Sequence, residues 1–365
     1  PHIRGYYLDD HHWDREQTSH SNHLHNHGCA VTGIIGAKGD NETGITGVNW
    51  TVKLMLISGA TFASEIVEAY GYAYDMRQRY NQSNGEEGAF VVVTNYSAGI
   101  NFARCEDFPI WGSMYDSLGQ VGILSVGSTA NDNVNVDEVG DMPTSCPSDF
   151  LLTVTNTNRM DDKVEGSGYG LTSIDLGAPG ATIVSTKRSD TYGDIGTGTS
   201  WSAPHVTGAI ALLYSLPCEG LSLQARLNPS ETAQMMREVI LDGVDPSTSL
   251  ENKTVTGGRL NVFNSMSLLQ DQFGSQVGPL DLLSIRPSLA PSSTEKLLVE
   301  YQTPEFTEYE VKIYNSVGQL ILSGITPQFC APRFLEVPIF GLAPGTYFMS
   351  IENVNDIKSG RFVIY

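Results

Sequence analysis

Short apolar runs alternate with helix-length segments over the first two thirds of the chain. The runs typical of buried strands are residues 52–57, 90–94, 122–126 and 151–155. Apolar side chains at helical spacing predict a helix over residues 64–80, with Ser64 as its N-cap, and an apolar helix over residues 203–216. Strands separated by helices are typical of βαβ units. The pattern therefore predicts an α/β fold with a doubly wound, mostly parallel sheet.

The pattern changes near residue 275. Residues 276–283 include Gly and Pro and are typical of a linker. Beyond them, short strands are separated by turns at Gly318 and Gly345, which predicts a small all-β, immunoglobulin-like sandwich. We therefore expect a domain over residues 1–275, the linker at 276–283 and a second domain over 284–365.

Charge excludes several classes of partner. The 365 residues include 41 acidic and 21 basic side chains, for a net charge of −20. Such a chain repels phosphate backbones and anionic lipid, so neither nucleic acid nor a membrane surface is an expected partner. The sequence contains no apolar run of about eighteen residues, the length a membrane-spanning helix needs. Its polar start at Pro1 is not a signal peptide, and we expect that end to be the product of a cleavage.

Cysteine is sparse. The five cysteines are Cys29, Cys105, Cys146, Cys218 and Cys330. They are too scattered for a disulfide framework or a zinc cluster. In an oxidising compartment one pair could be bridged, with Cys105 and Cys146 as one choice, and the odd number leaves at least one free thiol.

Two segments combine residues suited to nucleophilic catalysis. His27 precedes a run of small residues that predicts a helix, and Ser200 follows a Gly-Thr turn before the helix at 203–216. A serine hydroxyl becomes a good nucleophile only when a neighbouring imidazole takes its proton. A helix N-terminus adds N–H groups beside a developing oxyanion. Alone, such a serine is usually only an N-cap, and such a histidine is usually inert.

The two segments closely resemble the motifs of the subtilisin-like serine peptidases, H-G-T-x-V-A-G and G-T-S-M-A-x-P-H. Here they read H-G-C-A-V-T-G over residues 27–33 and G-T-S-W-S-A-P-H over 198–205. The order His before Ser also fits that family and not the α/β-hydrolases. The resemblance implies an endopeptidase acting on polypeptides, with Ser200 as the nucleophile and His27 as the proton acceptor.

Further matches lie between these motifs. The resemblance implies that Asn131 is the side-chain donor to the oxyanion, and that Ser97 and Gly99 border the strand that pairs with an extended substrate. It implies no required cofactor, although relatives commonly bind calcium. Four early histidines could hold a divalent metal, but we favour a polar loop leading into His27 and predict no metal site. Those four are His20, His23, His25 and His27.

The family's aspartate is the main departure. Relatives carry it at the end of an apolar strand well before the histidine, yet the 26 residues before His27 contain no such strand. Asp9, Asp10 and Asp14 are interpreted as loop residues. Either an N-terminal fragment carrying the aspartate stays bound after a nick, or this sequence starts downstream of it. We favour the bound fragment, because a sheet without an inner strand exposes unpaired backbone.

The last eighty residues resemble the type A sorting domain of the type IX secretion system of Bacteroidota. The motifs are V-K-I-Y-N-S-V-G-Q-L at 311–320, G-L-A-P-G-T-Y-F at 341–348 and G-R-F-V-I at 360–364. The resemblance implies export across the outer membrane, with a shuttle or translocon as transient partner. We therefore expect a secreted or cell-surface serine endopeptidase. The alternative is an inactive relative used as a structural or adhesive surface subunit.

Overall fold

A computed structural model describes residues 5–7, 22–58, 60, 62–216, 219–274, 281–302, 309–326, 334–352 and 356–365. The chain divides into two compact units, residues 1–215 with 228–266 and residues 216–227 with 267–365. The expected linker at 276–283 falls partly outside the described residues, and the domain boundaries stay a prediction.

Eight α-helices are described. They are α1 (Asn22–Gly36), α2 (Ala63–Gln82), α3 (Pro109–Gln120), α4 (Val136–Val139), α5 (Thr199–Tyr214), α6 (Glu219–Leu227), α7 (Pro229–Asp242) and α8 (Val262–Gly274). The described strands up to residue 259 are β1 (Gly5–Tyr7), β2 (Met55–Ile57), β3 (Val93–Tyr96), β4 (Ile100–Asn101), β5 (Leu124–Ser128), β6 (Asp141–Met142), β7 (Leu151–Thr157), β8 (Leu176–Pro179), β9 (Ile183–Lys187), β10 (Thr191–Gly196), β11 (Asp245–Pro246) and β12 (Gly258–Arg259).

The main sheet of the first unit has six strands in the order β11-β12-β8-β7-β5-β3. All neighbours pair in parallel except β11 and β12. Every residue of β5 and β7 is buried, which is typical of a parallel sheet covered on both faces. Helix α5 packs on β3, β5, β7 and β8. The expected α/β architecture with a mostly parallel sheet is confirmed.

The sheet ends at β3. In the part of the chain that the structure describes, β3 pairs with β5 on one side and with no strand on the other. Strand β2 forms a separate two-stranded antiparallel sheet with β1. Residues 5–7, expected to be a loop, are therefore a short strand. Asp9, Asp10 and Asp14 lie outside the described residues.

Helix α2 begins one residue before the predicted start. Its N-cap is Phe62, whose backbone N–H donates to the carboxylate of Glu65 at 2.9 Å. Ser64 lies inside the first turn, so its prediction as the N-cap is wrong. The Glu65 carboxylate satisfies an N–H group that the helix itself cannot, and this contact fixes where the helix starts.

Arg77 of α2 is fully buried. Its guanidinium donates to the backbone oxygens of Val91 and Gly122 and lies 4.3 Å from the ring centroid of Phe90. Burial lowers the pKa of Arg77 to about 10. The side chain thus ties α2 to the segments that lead into β3 and β5.

Cys105 and Cys146 form a disulfide, which confirms the pair suggested from the sequence. The bond joins the short 3₁₀-helix Cys105–Asp107, which follows β4, to the segment that follows β6. Strands β4 and β6 also pair with each other. Cys29 has a free thiol, whereas Cys218 and Cys330 lie outside the described residues.

The second unit contains the strands β13 (Asp281–Arg286), β14 (Leu289–Ala290), β15 (Lys296–Gln302), β16 (Tyr309–Asn315), β17 (Leu320–Thr326), β18 (Phe334–Pro338), β19 (Gly345–Glu352) and β20 (Ile357–Ile364). They form a sheet β13-β15-β18 and a sheet β14-β20-β19-β16-β17. Buried side chains from both sheets share one core, including Val299 of β15 and Met349 of β19. This is the expected β-sandwich. Strands β13, β14 and β18 were not predicted.

None of the helices described is long and apolar enough to cross a membrane.

Candidate active site

Ser200 lies at the start of α5, which begins at Thr199 and not at the predicted residue 203. As the second helical residue, Ser200 has a backbone N–H that no carbonyl of its own helix can accept. The helix dipole adds partial positive charge there. The N-terminus of α5 thus provides the donor and the field that an oxyanion needs.

Pro204 lies inside α5 and not at its first turn, where the sequence suggested it. Because proline has no N–H, it cannot donate to the carbonyl oxygen of Ser200 four residues earlier. The hydroxyl of Ser97 donates to that oxygen instead, at 2.8 Å. The missing helical hydrogen bond is therefore replaced by one from the end of β3.

Ser97 and Ser200 are joined by a second hydrogen bond in the opposite direction. The Ser200 hydroxyl donates to the backbone oxygen of Ser97 at 3.2 Å. Asn95 supports the pair, since its amide donates to the Ser97 hydroxyl at 2.9 Å and its oxygen accepts from the Thr207 hydroxyl at 2.9 Å. These contacts fix the end of β3 against the first turns of α5.

Asn131 follows β5 and is exposed. Its side-chain oxygen accepts a hydrogen bond from the backbone N–H of Thr199 at 2.8 Å. An N–H must face an acceptor, so this contact fixes which end of the amide is oxygen and leaves the NH2 group available to donate to another acceptor.

A buried carboxylate holds the loop that carries Asn131. Asp141 is 1% exposed and accepts hydrogen bonds from the backbone N–H of Ala130 at 3.0 Å and from the hydroxyls of Thr129 and Thr144 at 3.0 and 2.6 Å. Burial raises the pKa of Asp141, and these three donors oppose that shift. The sequence reasoning missed this residue, because nothing near Asp141 in the chain indicates that it is buried.

His27 lies in the second turn of α1, which begins five residues earlier than the histidine. Its ring centroid is 4.8 Å from that of Trp201, the residue after Ser200, with the two planes tilted by 37°. Burial lowers the pKa of His27. The imidazole is therefore biased toward its neutral, proton-accepting form.

Gly33 explains how closely α1 approaches β9. A Cβ atom at Gly33 would lie 2.2 Å from the hydroxyl oxygen of Thr186. The hydroxyls of Thr186 and Ser185 donate to the backbone oxygens of Cys29 and Ala30 at 2.6 and 2.8 Å. The glycine of the histidine motif thus permits the contact that holds α1 in place.

Gly99 lies in exposed chain just after β3. A Cβ atom there would be 2.5 Å from the backbone oxygen of Met142, so a larger residue would clash with backbone. Residues 98 and 99 are both exposed, whereas Ser97 is buried. This leaves a short extended segment open to solvent directly beside Ser200.

Four of the five predicted site residues meet at the start of α5. Ser97 bonds to Ser200, and Asn131 and His27 contact the residues on either side of it, Thr199 and Trp201. The profile of the subtilase family matches residues 3–257 of this chain. The chain belongs to the subtilase family. A second profile, that of a secretion system C-terminal sorting domain, matches residues 291–365.

Curated relatives are peptidases of the same family. Subtilisin-like protease 1 of Plasmodium berghei is 27% identical over 268 residues, covering 66% of this chain and 39% of the relative. A thermophilic serine proteinase of Bacillus sp. strain AK1 is 29% identical over 220 residues, covering 58% of this chain and 47% of the relative. This chain therefore spans less than half the length of either relative.

Solved structures of subtilases share the fold. The prenylagaramide maturation protease PagA superposes with a TM-score of 0.51 at 21% identity, covering 67% of this chain and 82% of its own. The PatG macrocyclase in complex with peptide gives a TM-score of 0.52 at 19% identity, covering 67% and 68%. The sorting domain marks this subtilase for secretion across the outer membrane to the cell surface or beyond.

Subtilases typically bind calcium. Within the described ranges, no group of three or more His, Cys, Asp or Glu side chains could hold a metal ion. The side chains of the residues before His27 are not described, and these include the three histidines considered with it as ligands. The described acidic side chains therefore form no cluster of the carboxylates that calcium prefers.

Proposed function

We propose that this subtilase is a secreted serine endopeptidase that cleaves polypeptides. The observation that carries the proposal is the reciprocal pair of hydrogen bonds between Ser97 and Ser200, at 2.8 and 3.2 Å. It supports a nucleophile held directly beside an exposed substrate-binding segment. The contacts of Asn131 and His27 with the neighbours of Ser200 add a donor and a base at the same place.

In the proposed reaction, the Ser200 hydroxyl oxygen attacks the scissile carbonyl while His27 accepts its proton. The C–N bond of the tetrahedral intermediate then breaks as His27 returns that proton to the leaving amine. The Asn131 amide and the Ser200 backbone N–H donate to the oxyanion. Water then repeats the sequence on the acyl-enzyme and releases the acid.

The nucleophile has to exchange one hydrogen bond before it reacts. In the resting structure the Ser200 hydroxyl donates to the Ser97 carbonyl oxygen at 3.2 Å. In the proposed reaction, rotation of the hydroxyl about its Cβ–Oγ bond breaks that contact and lets the proton pass to His27. The long resting distance makes the exchange inexpensive, because hydrogen bonds weaken as they lengthen.

Substrate is proposed to pair with the exposed segment that includes Gly99. That segment directly follows β3 and Ser97, whose hydroxyl donates to the Ser200 backbone. An extended peptide lying along it would form strand-like hydrogen bonds, which bind a backbone without requiring particular side chains. Ser97, whose side chain is occupied by Ser200, contributes backbone groups only.

An acidic partner for His27 is proposed to come from outside the described residues. The unpaired edge of β3 supports this, because an exposed strand edge is a template for another strand. A strand added parallel to β3 would end at the same edge of the sheet as Ser97. We propose that an N-terminal fragment of the same protein supplies this strand and the aspartate.

Native mass spectrometry of protein purified from its source tests the bound fragment. The expected mass exceeds the 39.6 kDa of this chain by that of a peptide, and the peptide separates on denaturation. A folded, active sample with only the mass of this chain would refute the fragment and leave the serine chemistry intact.

A fluorophosphonate probe tests the activity itself. It should label wild type at Ser200 and leave Ser200→Ala unlabelled, with Ser202→Ala as the matched control because Ser202 is buried two residues along the same helix. Absence of labelling in a folded sample that contains the fragment would support the alternative, an inactive subtilase used as a structural or adhesive surface subunit.

The sorting domain is proposed to bind a shuttle or translocon of the type IX system during export. A chain ending at residue 283 should keep its fold and accumulate inside the outer membrane, whereas the full chain should appear outside it. Export of the truncated chain at the normal level would contradict the proposal. This experiment also tests the proposed domain boundary.

A further inference from the structure

The indole of Trp201 lies against the imidazole of His27. Their ring centroids are 4.8 Å apart and their planes are tilted by 37°, within the range of aromatic pairs that attract each other. Trp201 directly follows Ser200 in the chain. The contact therefore joins the helix of the proposed nucleophile to that of the proposed base.

Trp201 is itself firmly placed. Its backbone N–H donates to Gly198 at 3.1 Å, and its backbone oxygen lies 2.7 Å from Nδ1 of His205, one turn further along α5. With its backbone bonded on both sides, the residue cannot shift without disturbing the first turn of α5. The backbone that carries the indole is thus held in place beside the His27 ring.

We propose that Trp201 is a positioning residue that holds the His27 imidazole in the orientation needed to take the proton of Ser200. This role rests on the proposed peptidase function. In subtilases, a hydrogen bond from the catalytic histidine to an aspartate usually orients the imidazole. In this chain the indole of Trp201 also orients the imidazole, whether or not the strand that carries the aspartate is bound.

The physics of the contact suits a base that becomes charged. Packing on the indole excludes water from one face of the imidazole, and burial lowers the pKa of His27. When His27 takes the proton, the π face of tryptophan attracts the cation and partly offsets that lost hydration. On the β9 side, the charge of Arg188 acts on the neighbouring Cys29 thiol. Trp201 therefore limits the cost of forming the imidazolium.

The kinetic test compares Trp201→Leu, which keeps an apolar side chain without a ring, with Trp201→Phe, which restores a ring. We expect kcat to fall about 10- to 100-fold in the leucine variant with KM changed less than about twofold, as for a misplaced catalytic group. The phenylalanine variant should recover to within about threefold of wild type. Trp50→Leu is the control, because Trp50 is 52% exposed and lies outside the site.

A spectroscopic test separates this role from the activity. The Cε1–H resonance of His27, assigned by its loss in His27→Gln, should move when the indole ring current is removed in Trp201→Leu and stay in place in Trp50→Leu. Unchanged kcat in a folded Trp201→Leu protein, or an unmoved resonance, would overturn the positioning role. A wild type that neither cleaves peptides nor labels at Ser200 would refute the peptidase function, and the resonance would still decide whether Trp201 positions the ring.

Discussion

Asn131 and Ser97 are joined to the start of α5 by hydrogen bonds between side chain and backbone, whereas His27 meets the same helix through a ring contact. Behind Asn131, the buried Asp141 fixes the loop with three further hydrogen bonds. Behind His27, the hydroxyls of β9 hold the α1 backbone. The donor side of the site is thus set by directional contacts, and the base side by packing.

This difference has a consequence for catalysis. Hydrogen-bonded groups are fixed in angle as well as distance, so they suit an oxyanion donor that must not move. A ring contact restrains the plane of the imidazole without using its nitrogens, which suits a base that takes a proton and returns it. The sheet ends at β3, the strand that leads into Ser97, and the outer edge of β3 has no partner among the described strands.

Removing the Asn131 amide should have the largest effect. If its NH2 group binds the oxyanion, Asn131→Ala should lower kcat about 10²- to 10³-fold with KM nearly unchanged, the loss the same substitution type causes in subtilisin. Steady-state kinetics on a peptide substrate measures it. Asn133→Ala, an exposed neighbour, is the control, and equal losses in both variants would argue against a specific role for Asn131.

Removing the Asp141 carboxylate should release the whole donor loop. Three donors lose their acceptor in Asp141→Ala, so we expect unfolding to become easier by about 3 kcal/mol and kcat to fall as well. Chemical denaturation measures the free energy. Asp132→Ala, an exposed residue of the same loop, should change stability by less than about 0.5 kcal/mol. Full stability of Asp141→Ala would show that the loop is held by other contacts.

On the base side, glycine packing can be tested within one helix. Gly33→Ala places a methyl group where Thr186 already lies, and we expect a loss of about 2 kcal/mol from overpacking. Gly28→Ala meets no atom within 4 Å and should be neutral, or stabilise α1 by about 0.5–1 kcal/mol. Thermal unfolding compares the two variants. Equal effects would mean that α1 is not held tightly against β9.

The smallest expected effect concerns pH. Burial lowers the pKa of His27 from its ordinary value of 6.5, so the folded protein binds fewer protons than the unfolded chain just below that pH. The contribution of the buried His27 side chain to stability is complete above about pH 6.5 and declines as pH falls through the lowered pKa. In the chain without the acidic fragment, the stability gap between wild type and His27→Gln should therefore narrow on acidification, as chemical denaturation at several pH values would measure. A gap that stays constant between about pH 7.5 and about pH 5 would contradict the burial.

The architecture could be predicted from sequence because its signals are local. Apolar runs marked β5 and β7, turn residues separated the strands of the sandwich, and the motif residues around His27 and Ser200 pointed to one site. Boundaries were less well predicted, since Thr199 begins α5 only because Asn131, distant in the chain, accepts its N–H.

The missed features depend on contacts between distant segments. Arg77 resembles a surface residue until its backbone acceptors at Val91 and Gly122 are known. In the sequence, Asp141 resembles any of the many acidic residues. The ring contact between Trp201 and His27 joins two residues that are far apart in the sequence. No periodicity or propensity encodes such pairings, so they emerge only from the folded chain.

The disulfide between Cys105 and Cys146 closes a ring of chain that contains α3, β5 and Asn131. Hydrolysis of any one peptide bond inside that ring releases neither fragment, because the disulfide still joins them. A chain that is cut within this segment therefore keeps its two ends covalently joined.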